Sequence, residues 1–386
     1  MAAPRGSARE RYAIGSKVGE GAFSSVFCAR DRASGAKVAL KRIRVNLRRG
    51  QDANAILREM QVLRLLEGVS PHVMPLLGAH TRTQDLVLVM PFIPCSLHEV
   101  LTNRDVPLPE PHVACLSKML LSGLGAIHAE GLVHRDIKPA NLLIAADGTL
   151  LLADFGQGRE LPSHHDASLS HAVATRWYRA PELLFASRSY GPGVDVWASG
   201  CVIAQLLTLS PLLPGQSDID QLLTVIRFLG SPTPDRWPGV EKLPDYGKIE
   251  LPADLSPIPL AVYMPLASAP AVAFVASMLK YEAAERAAPR DALRSHWIRC
   301  ARCQPPTRAE LLLSTKDGGG SGTASRSGDG LDPGDAALAR PTAAEMPPIA
   351  FPCERICRRA PAFGAGVKVA HGLRTRLAAA AGGESW

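Results

Sequence analysis

The chain has 386 residues, 46% of them apolar, with 43 Lys and Arg against 36 Asp and Glu and a net charge of +7. That apolar share can bury a full core and excludes a wholly disordered chain, and the length suits one two-lobed unit with an extension. The positive excess is spread over many opposed charges, so most of it reads as solvated surface rather than a nucleic-acid footprint.

The first residues, Met1-Ala2-Ala3-Pro4-Arg5-Gly6, lack the apolar stretch of a signal peptide, and residues 1–11 read as an N-terminal extension. From residue 12 to 43 Val, Ile and Phe alternate with small or polar residues, the period of strands, and Gly19-Glu20-Gly21 interrupts them. The loop Gly19-Glu20-Gly21-Ala22-Phe23-Ser24, with Val18 before it and Ser25 and Val26 after it, can close backbone N–H groups over phosphates. Ser24 stands where a third glycine would, so an ordinary hairpin explains this stretch equally well by itself. The following Val38-Ala39-Leu40-Lys41 favours the phosphate reading, because an apolar strand would hold Lys41 under the loop.

Residues 54–66 change to a helical period, with Ile56, Leu57, Met60, Leu63 and Leu66 on one face and Gly68 as a stop. Glu59 falls among these core positions, so it is expected to turn inward and pair with Lys41. A strand returns at Leu86–Met90, and Pro91 to Pro94 form a stiff connector. Beyond it the pattern is mainly helical, with Val113–Ala129 and Val194–Leu207 as long apolar helices. Between them Leu142–Ile144 and Leu150–Ala153 flank Ala145-Ala146-Asp147-Gly148, a tight hairpin.

Just before that hairpin stands His134-Arg135-Asp136-Ile137-Lys138-Pro139-Ala140-Asn141, and just after it Asp154-Phe155-Gly156. Phosphoryl transfer needs an acceptor for a hydroxyl proton, hard oxygen ligands for magnesium and positive charge on the moving phosphate. Asp136 supplies the first, Asn141 and Asp154 the second and Lys138 the third. A fold that keeps these residues but lacks the rate is the competing reading.

The most apolar run, Ala261–Leu279, contains Pro265 and Pro270 and falls short of a membrane span. Cys28, Cys95, Cys115 and Cys201 stand singly in apolar segments, which fits a reducing, intracellular compartment. Cys300-x-x-Cys303 and Cys353-x3-Cys357 could suggest zinc, but their separation is long for a knuckle, and free thiols are the plainer reading. Lys41-Arg42-Ile43-Arg44 and Arg48-Arg49 raise a nucleic-acid alternative, which no aromatic platform or zinc finger accompanies. The ordered domain is expected to end near 300. From Asp317 onward Gly, Ala, Pro and Ser dominate, and 304–386 reads as an unstructured tail.

These residues resemble the eukaryotic protein kinase family over about residues 12–297. Ala180-Pro181-Glu182 is similar to its Ala-Pro-Glu motif, Asp195-Val196-Trp197-Ala198-Ser199-Gly200 to its central helix, and Arg286 to the arginine that pairs with that glutamate. The resemblance implies an α+β, bilobal fold, with a β-rich N-lobe at 12–92 and a helical C-lobe at 96–300. It implies ATP and Mg2+, with adenine held by backbone groups of a hinge at Pro91 and Ile93 beneath Ala39.

Thr175-Arg176-Trp177-Tyr178-Arg179-Ala180-Pro181-Glu182 is similar to the proline-directed group that holds the cyclin-dependent and mitogen-activated kinases. Thr175 and Arg179 are then substrate-site residues, and substrates carry Ser/Thr-Pro. Proline has no N–H to satisfy, so a floor without an acceptor tolerates it. Gly215-Gln216-Ser217-Asp218-Ile219-Asp220-Gln221-Leu222 and Leu243-Pro244-Asp245-Tyr246-Gly247-Lys248-Ile249 carry the likeness to the cyclin-dependent-kinase-like branch. That branch implies cell-cycle or ciliary regulation in the cytoplasm, nucleus or cilium, a cyclin-like activator and an upstream activating kinase, with no membrane and no specific nucleic acid as partner. A mitogen-activated-type kinase needing no cyclin is the neighbouring alternative. By the same resemblance Ser170 is the activating phosphorylation position, and Arg58, Arg135 and Arg159 would meet its phosphate. Gln157-Gly158 departs from the family after Asp-Phe-Gly and is expected to loosen the start of the activation segment.

Overall fold

A computed structural model describes residues 11–21, 24–44, 53–82, 85–161, 175–300 and 305–312. Alternating strands at the start build one antiparallel sheet from β1 (Tyr12–Glu20), β2 (Ser24–Asp31), β3 (Lys37–Arg44), β4 (Gly78–Arg82) and β5 (Asp85–Pro91), in the order β1-β2-β3-β5-β4. The period of two on β3 sorts its side chains. Val38 and Leu40 join Tyr12, Ala29 and Val89 in a small cluster on one face. Ala39, Lys41 and Ile43 point to the other face, where Ile43 joins the main core.

α1 (Ala53–Leu65) packs its Leu57, Met60 and Leu63 into that core. Gly68 ends the segment with φ +76°, as the glycine at this position predicts. Two differences from the sequence reading concern the sheet. β4 is an additional strand. β5 runs on to Pro91, which sits opposite Val38 at the strand end, where a missing N–H costs least.

The second lobe begins with β6 (Cys95–Ser96) and α2 (Leu97–Thr102), followed by α3 (Glu110–Ala129). Leu116, Leu120, Leu121, Leu124 and Ile127 on α3 are all essentially inaccessible, each contributing about 1.5–3 kcal/mol of transfer free energy. β7 (Leu132–Val133), β8 (Leu142–Ile144), β9 (Leu150–Leu152) and β10 (Arg159–Glu160) follow, with β6-β8-β9 in one small sheet and β7-β10 in another. The expected hairpin joins β8 to β9, and Gly148 takes φ +84° there.

Helices α4 (Pro181–Leu184), α5 (Gly193–Thr208) and α6 (Asp218–Leu229) continue the lobe. α7 (Leu260–Tyr263), α8 (Ala269–Ala276), α9 (Pro289–Ala292) and α10 (His296–Cys300) complete it. α5 is buried on almost every face and carries the fully enclosed Trp197. The expected Arg286–Glu182 pair forms as a two-pronged bridge, 2.7 Å at each oxygen, with the guanidinium 5.3 Å above the Trp197 ring. Residues 305–312, inside the stretch read as unstructured, hold α11 (Arg308–Leu312) with Leu311 completely buried. Cys303, Cys353 and Cys357 lie outside the described residues; Cys300 is an exposed free thiol. Among the described residues no helix is long and apolar enough to cross a membrane.

Candidate active site

A cleft of about 740 Å3 opens between the sheet and the helical lobe. Val18, Gly19, Glu20, Gly21, Ser24 and Val26 roof it, as the glycine loop predicts. Ala22 and Phe23 lie outside the described residues. Ser25 does not line the cleft: it is buried in the sheet, opposite Glu20 and Arg42. The alternation of β2 turns it away from the face that Ser24 and Val26 share. Ala39 and Lys41 line the inner wall, and Pro91 and Ile93 line the connector side. Met74, Met90, Leu143 and Ala153 add an apolar lining that the motifs did not reveal.

Lys41 is the electrostatic centre. Its Nζ lies 2.6 Å from Glu59 Oε1 and 2.8 Å from Asp154 Oδ1. The β3 register that pairs Lys41 with Val26 and Leu88 aims it beneath the loop. Burial alone would lower the Lys41 pKa, but the Glu59 and Asp154 carboxylates outweigh it and hold the ammonium above its usual range. Glu59 is pushed up by its burial and by Asp154, against the pull of Lys41. One cation therefore joins α1 to the Asp154 turn.

Asp154 adopts φ 62° and ψ 72°, the left-handed region that a non-glycine residue enters at a cost. Gly156 makes room for it, since a Cβ there would come within 3.3 Å of Asp154 Oδ1. Burial raises the Asp154 carboxyl, yet Lys41 and His134 hold it below the ordinary value, so it is an anion ready for a cation.

Asp136 stands beside the cleft floor with both carboxylate oxygens held by donors. Lys138 Nζ donates to Oδ2 at 2.7 Å and Asn141 Nδ2 at 2.9 Å. The Thr175 N–H and hydroxyl both donate to Oδ1, at 3.1 and 3.2 Å. Asn141 Nδ2 also donates to the Asp136 carbonyl, which leaves its amide oxygen for another partner. Asn141 and Asp154 both line the cleft and offer hard oxygens, a donor set that fits magnesium.

Asp195 holds this loop in place, a role the sequence reading did not assign. Its carboxylate accepts the His134 N–H at 2.8 Å and the Arg135 N–H at 2.7 Å, and meets His128 Nε2 at 2.9 Å. Complete burial would raise its pKa, but His128, His134 and the Arg135 amide hold it below the ordinary value. The two amide bonds fix Arg135 at φ 67°, another left-handed non-glycine residue.

Arg135 Nε donates to Gln157 O at 2.7 Å and Nη1 to Tyr190 Oη at 2.8 Å. The turn expected to be loose at Gln157-Gly158 is thus tied down, and Gly158 N–H closes it on Phe155 O at 2.9 Å. A Cβ at Gly158 would lie 3.1 Å from that oxygen, so the glycine tightens the turn. Arg159 follows, with Nη1 donating to Gly158 O, and Arg58 is partly buried on α1, which packs against the same turn. Ser170 lies outside the described residues.

Arg179 bridges to Asp218 at 3.2 Å, and Arg176 meets the same oxygen at 2.8 Å. Trp177 Nε1 donates to Gly215 O, and Tyr178 Oη to Gln205 Oε1. The Thr175–Arg179 segment is therefore pinned at one end to Asp136 and at the other to the start of α6.

The protein kinase domain family matches residues 12–298. Cyclin-dependent kinase 20 of Mus musculus is 41% identical over 312 residues, covering 80% of this chain and 89% of that one. Serine/threonine-protein kinase crk1 of Schizosaccharomyces pombe is 36% identical, covering 77% and 86%. A chain from the structure of the CAK complex of Chaetomium thermophilum bound to ATP-gamma-S superposes with a TM-score of 0.69 at 34% identity, over 78% of this chain and 94% of that one. The chain belongs to the protein kinase family, as a Ser/Thr kinase of the cyclin-dependent-kinase class.

Proposed function

We propose that this kinase transfers the γ-phosphoryl group of Mg-ATP to Ser or Thr followed by proline, in cell-cycle or ciliary regulation. The observation that carries this reading is Asp136 held by Lys138, Asn141 and Thr175 beside the Lys41–Glu59–Asp154 triad. The substrate hydroxyl oxygen bonds to the γ-phosphorus as the bond to the β,γ-bridging oxygen breaks, releasing ADP. Its proton passes to Asp136, and Lys138 faces the charge on the transferred group. Lys41 holds the α- and β-phosphates, with Glu59 fixing its direction. Asn141 and Asp154 would hold magnesium, which when bound neutralises phosphate charge.

Thr175 anchors the substrate floor to Asp136, so the peptide and the proton acceptor share one frame. The phosphorylation of a degenerate peptide library by the purified protein tests the reading. Preference for proline directly after the phosphorylated Ser or Thr is the expected result. No phosphate transfer would favour a non-catalytic scaffold, and transfer without proline selection would remove the substrate assignment.

Control follows from the arginines around the Phe155–Gln157 turn. Arg135 and Arg159 flank it directly and α1, bearing Arg58, packs on it. Arg135 Nη2 is buried and makes no hydrogen bond among the described residues. A phosphate on Ser170 would bring about −2 charge and three acceptors to this cluster. Relatives named cyclin-dependent kinases support a cyclin-like activator acting on α1. After treatment with an activating kinase, wild type is expected to exceed Ser170→Ala at least about tenfold in kcat/KM, the range of a new charge-assisted network. Equal activity with no phosphate on Ser170 in wild type would refute the assignment.

A further inference from the structure

Residues 305–312 lie beyond the stretch that matches the kinase family, yet they are built against the rim of the nucleotide cleft. α11 is too short to persist unaided, and both of its ends are secured. Glu310 Oε2 accepts the Thr307 N–H at 2.7 Å, while Thr307 Oγ1 accepts the Glu310 N–H at 3.3 Å. At the other end Arg104 Nη1, two residues past α2, donates to the carbonyls of Glu310 and Leu311 at 3.4 and 3.0 Å. Leu311 is fully buried and belongs to the main core of the protein.

The segment also presses on the β8–β9 turn. A Cβ on Gly148 would stand 2.1 Å from the Pro306 carbonyl oxygen, so the glycine serves this close approach as well as its positive φ. The opposite side of the same wall faces the nucleotide. Cys95, Ser96 and Glu99 line the cleft. Arg308 and Glu99 both lie beside the Cys95 thiol, which is only 2% exposed. This wall is thin: β6 has two residues, α2 has six, and Cys95 and Ser96 pair with β8 alone.

We propose that residues 305–312 are a latch that positions the Cys95–Glu99 wall for nucleotide binding, with Leu311 and Arg308 as its positioning residues. The proposal rests on the reading of the cleft as the ATP site. Leu311 anchors the latch in the core, Arg104, two residues past α2, ties that end of the helix to the latch, and Arg308 braces the wall at Cys95. Loss of the latch frees the wall and leaves Asp136, Lys41 and Asp154 where they are.

The test uses full-length Leu311→Asp, Arg308→Ala and Arg308→Lys with two readouts. One is the modification rate of Cys95 by N-ethylmaleimide, followed on its own peptide by mass spectrometry with and without ADP. The other is the separate KM for ATP and for peptide, with kcat. Leu311→Asp is expected to speed Cys95 modification at least about tenfold, since thiol access follows the population of the opened wall. The ATP KM rises severalfold, with peptide KM and kcat within about twofold. Arg308→Ala shifts both readouts the same way by less, and Arg308→Lys restores them. Should Leu311→Asp fail to fold, the Arg308 pair decides. Wild-type Cys95 modification and ATP KM in the folded variants would overturn the latch. A wild-type chain whose Cys95 is not protected by ADP and which transfers no phosphate would instead overturn the nucleotide reading, while the modification rates still report on the latch.

Discussion

Asp136→Asn is expected to lower kcat by about 100-fold or more, the range for a positioned acid–base group, with little change in the KM for ATP. In the proposed reaction this carboxylate accepts the hydroxyl proton, and donors hold it from both sides. Lys138 and Asn141 supply Oδ2, and Thr175 supplies Oδ1 twice. An amide keeps the shape but brings an NH2 against one of these sets of donors. It cannot take a proton at neutral pH, and it turns either the Thr175 or the Lys138 contact from attractive to repulsive, at about 1–3 kcal/mol for the unmet group. Most nucleotide contacts are spared because Lys41, Asp154 and the roof residues make no bond to Asp136 among the described residues, and Asn141 keeps its bond to the Asp136 carbonyl. Single-turnover phosphotransfer on a Ser-Pro peptide, beside nucleotide titration, measures both. A residual rate above about a tenth of wild type would place proton acceptance elsewhere.

What the sequence disclosed and what it withheld divide along physical lines. Lys41 was legible because a period-two strand fixes the face of each side chain, and Glu59 because a helical period places it among core residues. The Glu182–Arg286 bridge was legible only through family likeness, since 104 residues separate the pair. Asp195 belonged to a recognised motif, but its grip on the amides of His134 and Arg135 is a contact across 60 residues or more that no local pattern encodes. β4 was missed because Gly78-Ala79-His80-Thr81-Arg82 is small and polar, and it becomes a strand only by pairing with β5. The stretch around Leu311 reads as tail because a single run of leucines, Leu311-Leu312-Leu313, between a Pro-Pro step and a Gly-rich stretch shows no period; the burial of Leu311 comes from the surface it meets.

Lys41→Ala is expected to abolish phosphotransfer to a similar extent and, separately, to make stability depend on pH in a predictable direction. The ammonium serves two carboxylates at 2.6 and 2.8 Å, and Glu59 is almost inaccessible. Removing it leaves a buried anion facing a second one, a loss of about 3–5 kcal/mol when both stay ionised. Glu59 already has a raised pKa through burial, with Lys41 the main force opposing that rise. Without Lys41 its folded-state pKa climbs further.

A carboxyl whose folded pKa is raised contributes its full stability below the ordinary value of 4.5 and loses it as pH rises through the folded value. The penalty of Lys41→Ala is therefore smaller at about pH 5 than at about pH 8. Urea unfolding at the two pH values reads this directly. Adding Glu59→Gln removes the trapped charge, so the double variant should regain stability at the higher pH and lose the pH dependence, while phosphotransfer stays absent because the cation proposed for the α- and β-phosphates is gone. A Lys41→Ala penalty equal at both pH values, or a double variant no more stable than the single one, would mean that Lys41 does not neutralise Glu59 within the folded core.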